Sequence, residues 1–409
     1  MQINSHTRQE TIDILRGVAL VLILIVHCAF DFTGWGWTVL GDEQTLLPLA
    51  TLDKPIGELL NLFLRDKARA MFAMMFGVAF TLQLARSQQS GESFERMFIK
   101  RMAMLAVIGV IHGHLIYSFE ILRLYAIAGL LMLLLWRLPN RSLLATAGVL
   151  AVLGPILFYG IGMALGLDFF GGRVSLEDMY AGYTSSSVRE LLALTHRLAM
   201  GRYTPADLIF MGMPILGCFL LGLWLARCGW LMDPTAHRPA LRRLMVRGLV
   251  PGLVLQLGAS ILWRLMDESS PAWHGPVLGL AHFAAAPLLA LGYISAIALL
   301  CTHPGWHRKL VWLAPAGRMT LTNYIMQSLF AWMIFYGIGL GLYGQIGPAI
   351  AVPIALLLAL FQILLSAWWL QRYYSGPLEW LWRWAIKGQR PRWQLSPVRQ
   401  PSLEKQESH

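Results

Sequence analysis

Apolar residues along this chain are gathered into runs of about twenty, separated by short polar and basic stretches. Such a run matches the thickness of the hydrocarbon core of a bilayer, where only a helix satisfies every backbone polar group. The pattern predicts an all-α fold, a polytopic transmembrane helical bundle of about ten membrane spans plus interfacial helices. The predicted spans lie near residues 14–32, 68–86, 98–117, 121–137, 142–165, 204–228, 243–266, 276–302, 311–336 and 346–370.

Shorter amphipathic segments lie between and after the spans. Residues 46–64 contain two prolines and three charged residues, which predicts an interfacial or re-entrant segment. Residues 188–200 place apolar side chains roughly on one face, which predicts a helix lying on the membrane. We therefore divide the chain into a transmembrane helical domain over 1–376, an interfacial Trp/Arg segment over 377–392 and a disordered cytoplasmic tail over 393–409.

Composition supports the membrane interpretation and excludes several other classes. Charged residues make up 13% of the chain, against about 25% in soluble proteins. The net charge of +11 does not indicate nucleic-acid binding, because the basic residues flank apolar runs instead of forming one stripe. The cysteines show no metal-ligand spacing, so we predict neither a metal site nor a disulfide. They are Cys28, Cys218, Cys228 and Cys301.

The loop charges predict an orientation. If the N-terminus is cytoplasmic and ten spans alternate, more than two-thirds of the 33 lysine and arginine residues fall on the cytoplasmic side. Basic residues are enriched in cytoplasmic loops of membrane proteins. The sequence therefore predicts a multi-pass protein of the bacterial inner (plasma) membrane with both termini in the cytoplasm.

The first span carries two polar residues on one face. Arg16 and His27 are eleven positions apart, and eleven helical steps of about 100° return to within about 20°. They would be about 16 Å apart along the axis, with Arg16 at the cytoplasmic entrance and His27 near mid-membrane. Arginine suits a phosphate group and histidine suits general-base catalysis near neutral pH. The competing interpretation is that Arg16 snorkels to the headgroups and His27 hydrogen-bonds within the bundle.

Polar residues in other spans give further candidates. His112 and His114 point about 200° apart, so one of them faces the bundle and the other a neighbour or the interface. Glu120 and Arg123 follow at the outer end of the third span, where a structural pairing is the simpler interpretation. Asn323, Gln327 and Gln362 either line a substrate path or form interhelical hydrogen bonds. Motifs of soluble enzymes such as Walker A, HExxH, GxSxG and CxxC are absent from the sequence.

Several segments carry a resemblance to a known family. They are IDILRGVALVLILIVH, KARAMFAMMFGVAF with Gln83 and Arg86, IGVIHGHLIYSFEILRLYAIAGLL, GRMTLTNYIMQS, FYGIGLGLYG and GPLEWLWR. The chain resembles the bacterial membrane family called domain of unknown function 418, the YeiB-like proteins. The resemblance covers nearly the whole chain, and a C-terminal family-like region extends over about 240–392.

This family looks related to transmembrane acyltransferases, which move acyl groups from cytoplasmic donors such as acetyl-CoA. Their first helix carries an arginine and, after ten intervening residues, a histidine, a spacing that Arg16 and His27 match. Many YeiB-like members have asparagine at the second position, so His27 is a departure that favours activity. Glu120 stands where an aspartate is common.

Three functional hypotheses follow. The first is an acyltransferase: acyl-CoA, as a co-substrate and not a bound cofactor, docks at Arg16 and at basic inner-loop residues such as Arg101 and Arg318. His27 then activates a small-molecule acceptor, with His112 as a second candidate for catalysis. The second is a small-solute transporter lined by Asn323, Gln327, Gln362 and Glu120. The third is a non-catalytic scaffold in the lipid bilayer; the sequence leaves the acceptor, the donor and the oligomeric state open.

Overall fold

The computed structural model describes residues 5–37, 47–91, 93–157, 174–265 and 274–394. These residues form helices and no β-strand; the only β-pairing among them is an isolated bridge between Tyr373 and Gln394. The predicted all-α membrane bundle is therefore confirmed. The predicted tail beyond residue 394, and the end of the predicted span 142–165, lie outside the described residues.

The helices follow one another with short connections. The first part of the chain contains α1 Ser5–Val26, α2 Ala50–Phe63, α3 Lys67–Ser90, α4 Phe94–Leu115, α5 Leu122–Leu135 and α6 Asn140–Gly148. The second part contains α7 Leu176–Thr184, α8 Val188–Met200, α9 Pro205–Arg227, α10 Arg238–Leu265, α11 His274–Cys301, α12 Pro304–Leu310, α13 Ala314–Arg318, α14 Thr320–Phe330, α15 Pro348–Leu370 and α16 Pro377–Lys387.

Eight helices of the described chain are long and apolar enough to cross a membrane. They agree with eight of the predicted spans, while α5, at the predicted span 121–137, is a shorter apolar helix. The predicted span 311–336 is divided into short pieces, because the chain leaves helical geometry at Met319, with φ −109° and ψ 38°. The polar residues Asn323, Gln327 and Ser328 follow this break, and all three are buried.

The two predicted interfacial segments are both helical. Within 46–64, residues 50–63 form α2, which leads into α3 across a break at Asp66 (φ 63°). The predicted helix over 188–200 is α8, which has the predicted bounds. Its buried side chains Leu191 and Leu194 pack against protein, since α8 contacts α4 and α7, whereas Val188 is 49% exposed.

Glycines allow two very close helix contacts. A Cβ atom at Gly317 would collide with the backbone of Asp13, and one at Gly17 would collide with the backbone of Leu313. This contact holds α1 against α13. The α3–α9 contact is of the same kind, where Gly222 meets the backbone of Met74. Small residues at such contacts are the usual device of membrane helices, because dispersion and not the hydrophobic effect holds them together.

Two apolar clusters lie at opposite ends of α1. The larger one surrounds the N-terminal half of α1 and includes α3, α5 and α9. The smaller one surrounds the C-terminal end of α1 and contains an aromatic group. That aromatic group comprises Phe32, Tyr117, Tyr183, Phe335, Tyr336 and Tyr343. Arg16, in α1, and His27, directly after it, thus lie near different apolar clusters.

Candidate functional site

A cavity of about 630 Å³ opens between α1, α3, α4, α5, α13, α14 and α16. Apolar side chains of α3, α4, α5 and α14 cover part of its wall, among them Phe72, Phe76 and Leu105. Charged residues cover the rest. Six are basic and one is acidic: Arg16, Arg86, Arg101, Arg318, Arg383, Lys387 and Glu379.

The close contact of α1 with α13 places two of these arginines together. Arg16 directly precedes Gly17, and Arg318 directly follows Gly317, the two glycines at which the backbones come into contact. The Arg16 guanidinium lies 3.4 Å from the Asp13 carboxylate one turn earlier on α1. Arg16 is therefore paired and held at the cavity wall.

The only carboxylate on the wall among the described residues, Glu379, is occupied by the backbone of α14. The Leu321 N–H donates to Oε1 at 2.7 Å and the Thr322 N–H donates at 3.1 Å. The Thr322 hydroxyl donates to Oε2 at 2.6 Å. A carboxylate at a helix N-terminus satisfies donors that have no partner within the helix. Glu379 thus caps α14 from a different helix.

The other arginines of the wall form no direct ion pair among the described residues. Arg86, Arg101, Arg318 and Arg383 form no ion pair with a carboxylate in the described part of the chain. Burial lowers the pKa of Arg383, Glu379 opposes this shift, and the nearby Arg86 and Arg318 add to it. Like charges around one cavity repel each other, and a bound anion offsets this repulsion. This arrangement is suited to an anionic ligand.

His27 begins a π-helical turn, His27–Phe32, that continues α1. Its Nδ1 lies 2.8 Å from Asp31 Oδ2 and 3.1 Å from the Tyr117 hydroxyl. Its ring stacks on Phe32 with centroids 5.4 Å apart. Among the described residues Nε2 has no hydrogen-bond partner, and the His27 side chain is 18% exposed. A carboxylate at Nδ1 fixes the tautomer that leaves Nε2 able to accept a proton.

His27 does not line the cavity, but a column of side chains connects them. Tyr324 lines the cavity and contacts the ring of His112, with centroids 5.5 Å apart. His112 is buried, and its Nε2 lies 3.0 Å from the Ser328 hydroxyl. Tyr117 lies beside both His112, at 6.3 Å between ring centroids, and His27. His112 therefore lies between the cavity and His27, while His114 points away toward His196 of α8.

The predicted substrate-lining residues Asn323, Gln327 and Gln362 lie at the contact of α14 with α15. Asn323 Nδ2 donates to Ser366 Oγ at 2.9 Å, and Gln327 Nε2 donates to Gln362 Oε1 at 3.3 Å. Gln362 Nε2 donates to the Asn323 carbonyl at 2.9 Å. All three residues are at most 2% exposed, and none belongs to the wall of the cavity. Of the two interpretations offered for these residues, the bonds agree with interhelical hydrogen bonding and not with the lining of a substrate path.

Glu120 lies in the connection between α4 and α5, outside the membrane-spanning helices. Its Oε2 accepts hydrogen bonds from the Leu122 N–H at 2.6 Å and the Arg123 N–H at 3.3 Å. It caps α5, whereas the Arg123 guanidinium donates to the Arg202 carbonyl and covers the ring of Tyr203. Burial raises the pKa of Glu120 to about 7, although Arg123 and the two N–H groups act in the opposite direction.

The structure thus brings some predicted residues together and adds others. Arg16, Arg101 and Arg318 share the cavity, whereas His27 and His112 belong to the column beyond it. The site residues that the sequence did not predict to be catalytic or binding are Asp31, Tyr117, Arg86, Arg383 and Lys387, although Arg86 is among the residues that carry the family resemblance. Asp31 carried a signal, since it follows His27 at i+4. The other four residues come from distant segments of the chain, and no sequence spacing relates them to Arg16 or His27.

Two family models match this chain. "Heparan-alpha-glucosaminide N-acetyltransferase, catalytic" matches residues 8–253, more than half of the chain. "Protein of unknown function (DUF418)" matches residues 225–389. The cavity contains residues from both regions, because Arg16, Arg86 and Arg101 belong to the first and Arg318 and Arg383 to the second.

Relatives align with nearly the whole chain. Uncharacterized protein YxaH of Bacillus subtilis (strain 168) is 29% identical over 396 residues, covering 93% of this chain and 94% of the relative. Uncharacterized protein YeiB of Escherichia coli (strain K12) is 28% identical, covering 92% and 95%. These similarities confirm the predicted resemblance. The chain is a membrane acyltransferase-like protein that belongs to the heparan-alpha-glucosaminide N-acetyltransferase catalytic family, with a C-terminal part of the DUF418, YeiB-like type.

Proposed function

We propose that this protein transfers an acyl group from acyl-CoA in the cytoplasm to a hydroxyl or amine acceptor. The observation that carries the proposal is the arrangement of α1 and the turn after it. Arg16 lies in a basic cavity, and eleven residues later His27 pairs with Asp31 and keeps Nε2 available. A phosphate-binding group and a general base are thus joined by one rigid helix.

The cavity supports binding of the donor. Acyl-CoA carries several phosphate charges at one end and an uncharged thioester at the other. The basic wall suits the phosphates, because arginine binds phosphate through bidentate hydrogen bonds, and the apolar wall suits the uncharged arm. The loop charges predict that this side of the bundle faces the cytoplasm, where acyl-CoA is available.

His27 then acts as the general base of the transfer. Its Nε2 takes the proton of the acceptor hydroxyl or amine as the acceptor oxygen or nitrogen attacks the thioester carbonyl. Asp31 stabilises the imidazolium that results. The carbon–sulfur bond breaks, His27 returns the proton to the thiolate, and the products are the acylated acceptor and free coenzyme A. To reach His27, the acyl end passes Tyr324 and Tyr117, which separate the two regions.

The test is transfer of a labelled acetyl group from acetyl-CoA to endogenous acceptors extracted from the host membrane, with purified protein in nanodiscs. We expect His27→Ala to lower the rate by about 10²- to 10⁴-fold, the usual contribution of a general base. His114→Ala is the matched control, because His114 lies on α4 and points away from the column. Full activity in His27→Ala would exclude this mechanism.

A further inference from the structure

The last helix of the described residues, α16, forms one side of the cavity. It contributes Glu379, Trp382, Arg383 and Lys387 to the wall. All four lie in the region that matches the DUF418 model and outside the region that matches the acetyltransferase model. The donor cavity is therefore incomplete in the acetyltransferase-like part alone.

The basic residues of the cavity differ in depth. Arg16 and Arg101 are partly buried, and the Nε atom of Arg101 is buried without a partner. Arg86, Arg318, Arg383 and Lys387 are the exposed basic residues of the wall, and we call these four residues the mouth ring. A ligand that enters the cavity meets the mouth ring first and leaves its outermost group there.

Hydrogen bonds fix α16 over this mouth. Glu379 is bound to Thr322 and Leu321 of α14, and the Leu378 N–H donates to the Thr322 hydroxyl at 3.2 Å. Arg383 follows Glu379 by one helical turn and Lys387 by two, so all three lie on one face of α16. Leu381 lies on the opposite face, about 160° away, and is 41% exposed. The two cations are therefore turned toward the cavity by the register of the helix.

The mouth ring is suited to a group of high negative charge. Its four cations form no direct ion pair among the described residues, and the oxygens of Glu379, the nearest carboxylate to Arg383 on the wall, are bound to α14. A phosphate monoester carries about −1.5 to −2 charges near neutral pH, more than each phosphate of a diester or a diphosphate bridge. A terminal phosphate monoester thus matches this ring best.

We propose that Arg383 and Lys387 of α16 bind the terminal phosphate monoester of the donor, the 3′-phosphate at the nucleotide end of coenzyme A. The C-terminal part of the chain then selects donors that carry this phosphate. The inference rests on the proposed function, because it assumes that the cavity holds a coenzyme A thioester with its acyl end inward. An anionic lipid headgroup offers the same chemistry, and the experiment separates the two.

The experiment measures binding of coenzyme A and of 3′-dephospho-coenzyme A to the full-length protein in zwitterionic nanodiscs. We expect wild-type protein to bind coenzyme A roughly 10- to 100-fold more tightly, the effect of one or two hydrogen bonds to a charged group. Arg383→Ala/Lys387→Ala should abolish this preference, because the affinity for coenzyme A falls roughly 10- to 100-fold further than the affinity for 3′-dephospho-coenzyme A. Arg390→Ala is the matched control, because Arg390 lies over Trp380 and not on the cavity wall.

An unchanged preference in the double variant would overturn the inference. If that variant does not fold, Arg383→Gln is measured in the same way. A preference for coenzyme A as large as that of the wild-type protein would then also overturn the inference. Nanodiscs containing phosphatidylglycerol form a second arm: a variant that loses only lipid binding would also overturn the inference in favour of a headgroup site. A preference that depends on Arg383 and Lys387, without any acyl transfer, would uphold the phosphate site and reject the proposed function.

Discussion

At the scale of single residues, His27 takes its chemical character from its neighbours. An ordinary histidine in a membrane helix hydrogen-bonds within the bundle, and Nδ1 of His27 does so with Asp31 and Tyr117. The π-helical turn that begins at His27 places Asp31 within 2.8 Å. Turns of this kind occur frequently at functional sites. The remaining nitrogen, Nε2, is the one that the proposed transfer uses.

The carboxylate of Asp31 gives a direct test of this pairing. We expect Asp31→Asn to lower kcat by about 10²- to 10⁴-fold with little change in KM, because the amide no longer stabilises the imidazolium. The measurement is the acetyl-transfer rate as a function of acetyl-CoA concentration. Asp178→Asn is the control, since Asp178 forms an exposed ion pair with Arg197. An unchanged kcat in Asp31→Asn would remove Asp31 from the mechanism.

Glu120 predicts a pH dependence of stability. Its folded-state pKa of about 7 lies above the ordinary value of 4.5, chiefly because of burial. The folded state therefore holds this proton more tightly, so the stabilisation is fully present below pH 4.5 and is lost as the pH rises to about 7. We expect Glu120→Gln to remove this part of the decline when thermal unfolding is followed from pH 4.5 to 8. Glu95→Gln, at an exposed glutamate, should retain it, and an identical decline in both variants would contradict the assignment.

At the scale of the elements, two kinds of helix contact shape the site. Glycine contacts hold α1 on α13 and α3 on α9, and polar side chains join α14 to α15. The first kind brings Arg318 beside α1. The second uses Asn323, Gln327 and Gln362 to join α14 to α15. The transporter hypothesis required these residues to line a path, so their positions do not support it.

The glycine contact of α9 with α3 can be tested with two substitutions on one helix. Gly222→Ala should destabilise the protein by about 1–3 kcal/mol, because the added methyl group meets the backbone of Met74. Gly212→Ala should be neutral or slightly stabilising, since nothing lies within 4 Å of its Cβ position. The thermal unfolding midpoint in detergent measures both. Equal midpoints for the two variants would show that α3 and α9 are not in close contact.

At the scale of the whole molecule, the loop charges predict that both termini are cytoplasmic. A reporter that is active only in the cytoplasm should therefore be active when fused after residue 409, and a reporter that needs the periplasm should be inactive there. The same pair of reporters fused after residue 118, in the α4–α5 connection, serves as the control and should give the reverse result. Activity of the periplasmic reporter at the C-terminus would invert the topology, and the donor cavity would then face away from acyl-CoA.

The sequence by itself determined the class of the protein and most of its helices. A run of twenty apolar residues has few alternatives in a bilayer, so its length and composition were enough. The predicted span at 311–336 is helical as well, but its break at Met319 and the hydrogen bonds of its polar residues could not be predicted from the apolar run, because they depend on neighbouring helices.

Only the tertiary structure decided which polar residues meet. The Arg16–His27 spacing placed two groups on one helix, but Tyr117, Arg101 and Arg383 join them from segments far away in the chain. The contact of α16 with α14 through Glu379 and Thr322 likewise joins segments that are far apart in the chain. Helical periodicity acts over a few residues, whereas these contacts are set by how the helices pack. That packing turned a pattern of membrane spans into a basic cavity with a histidine column beyond it.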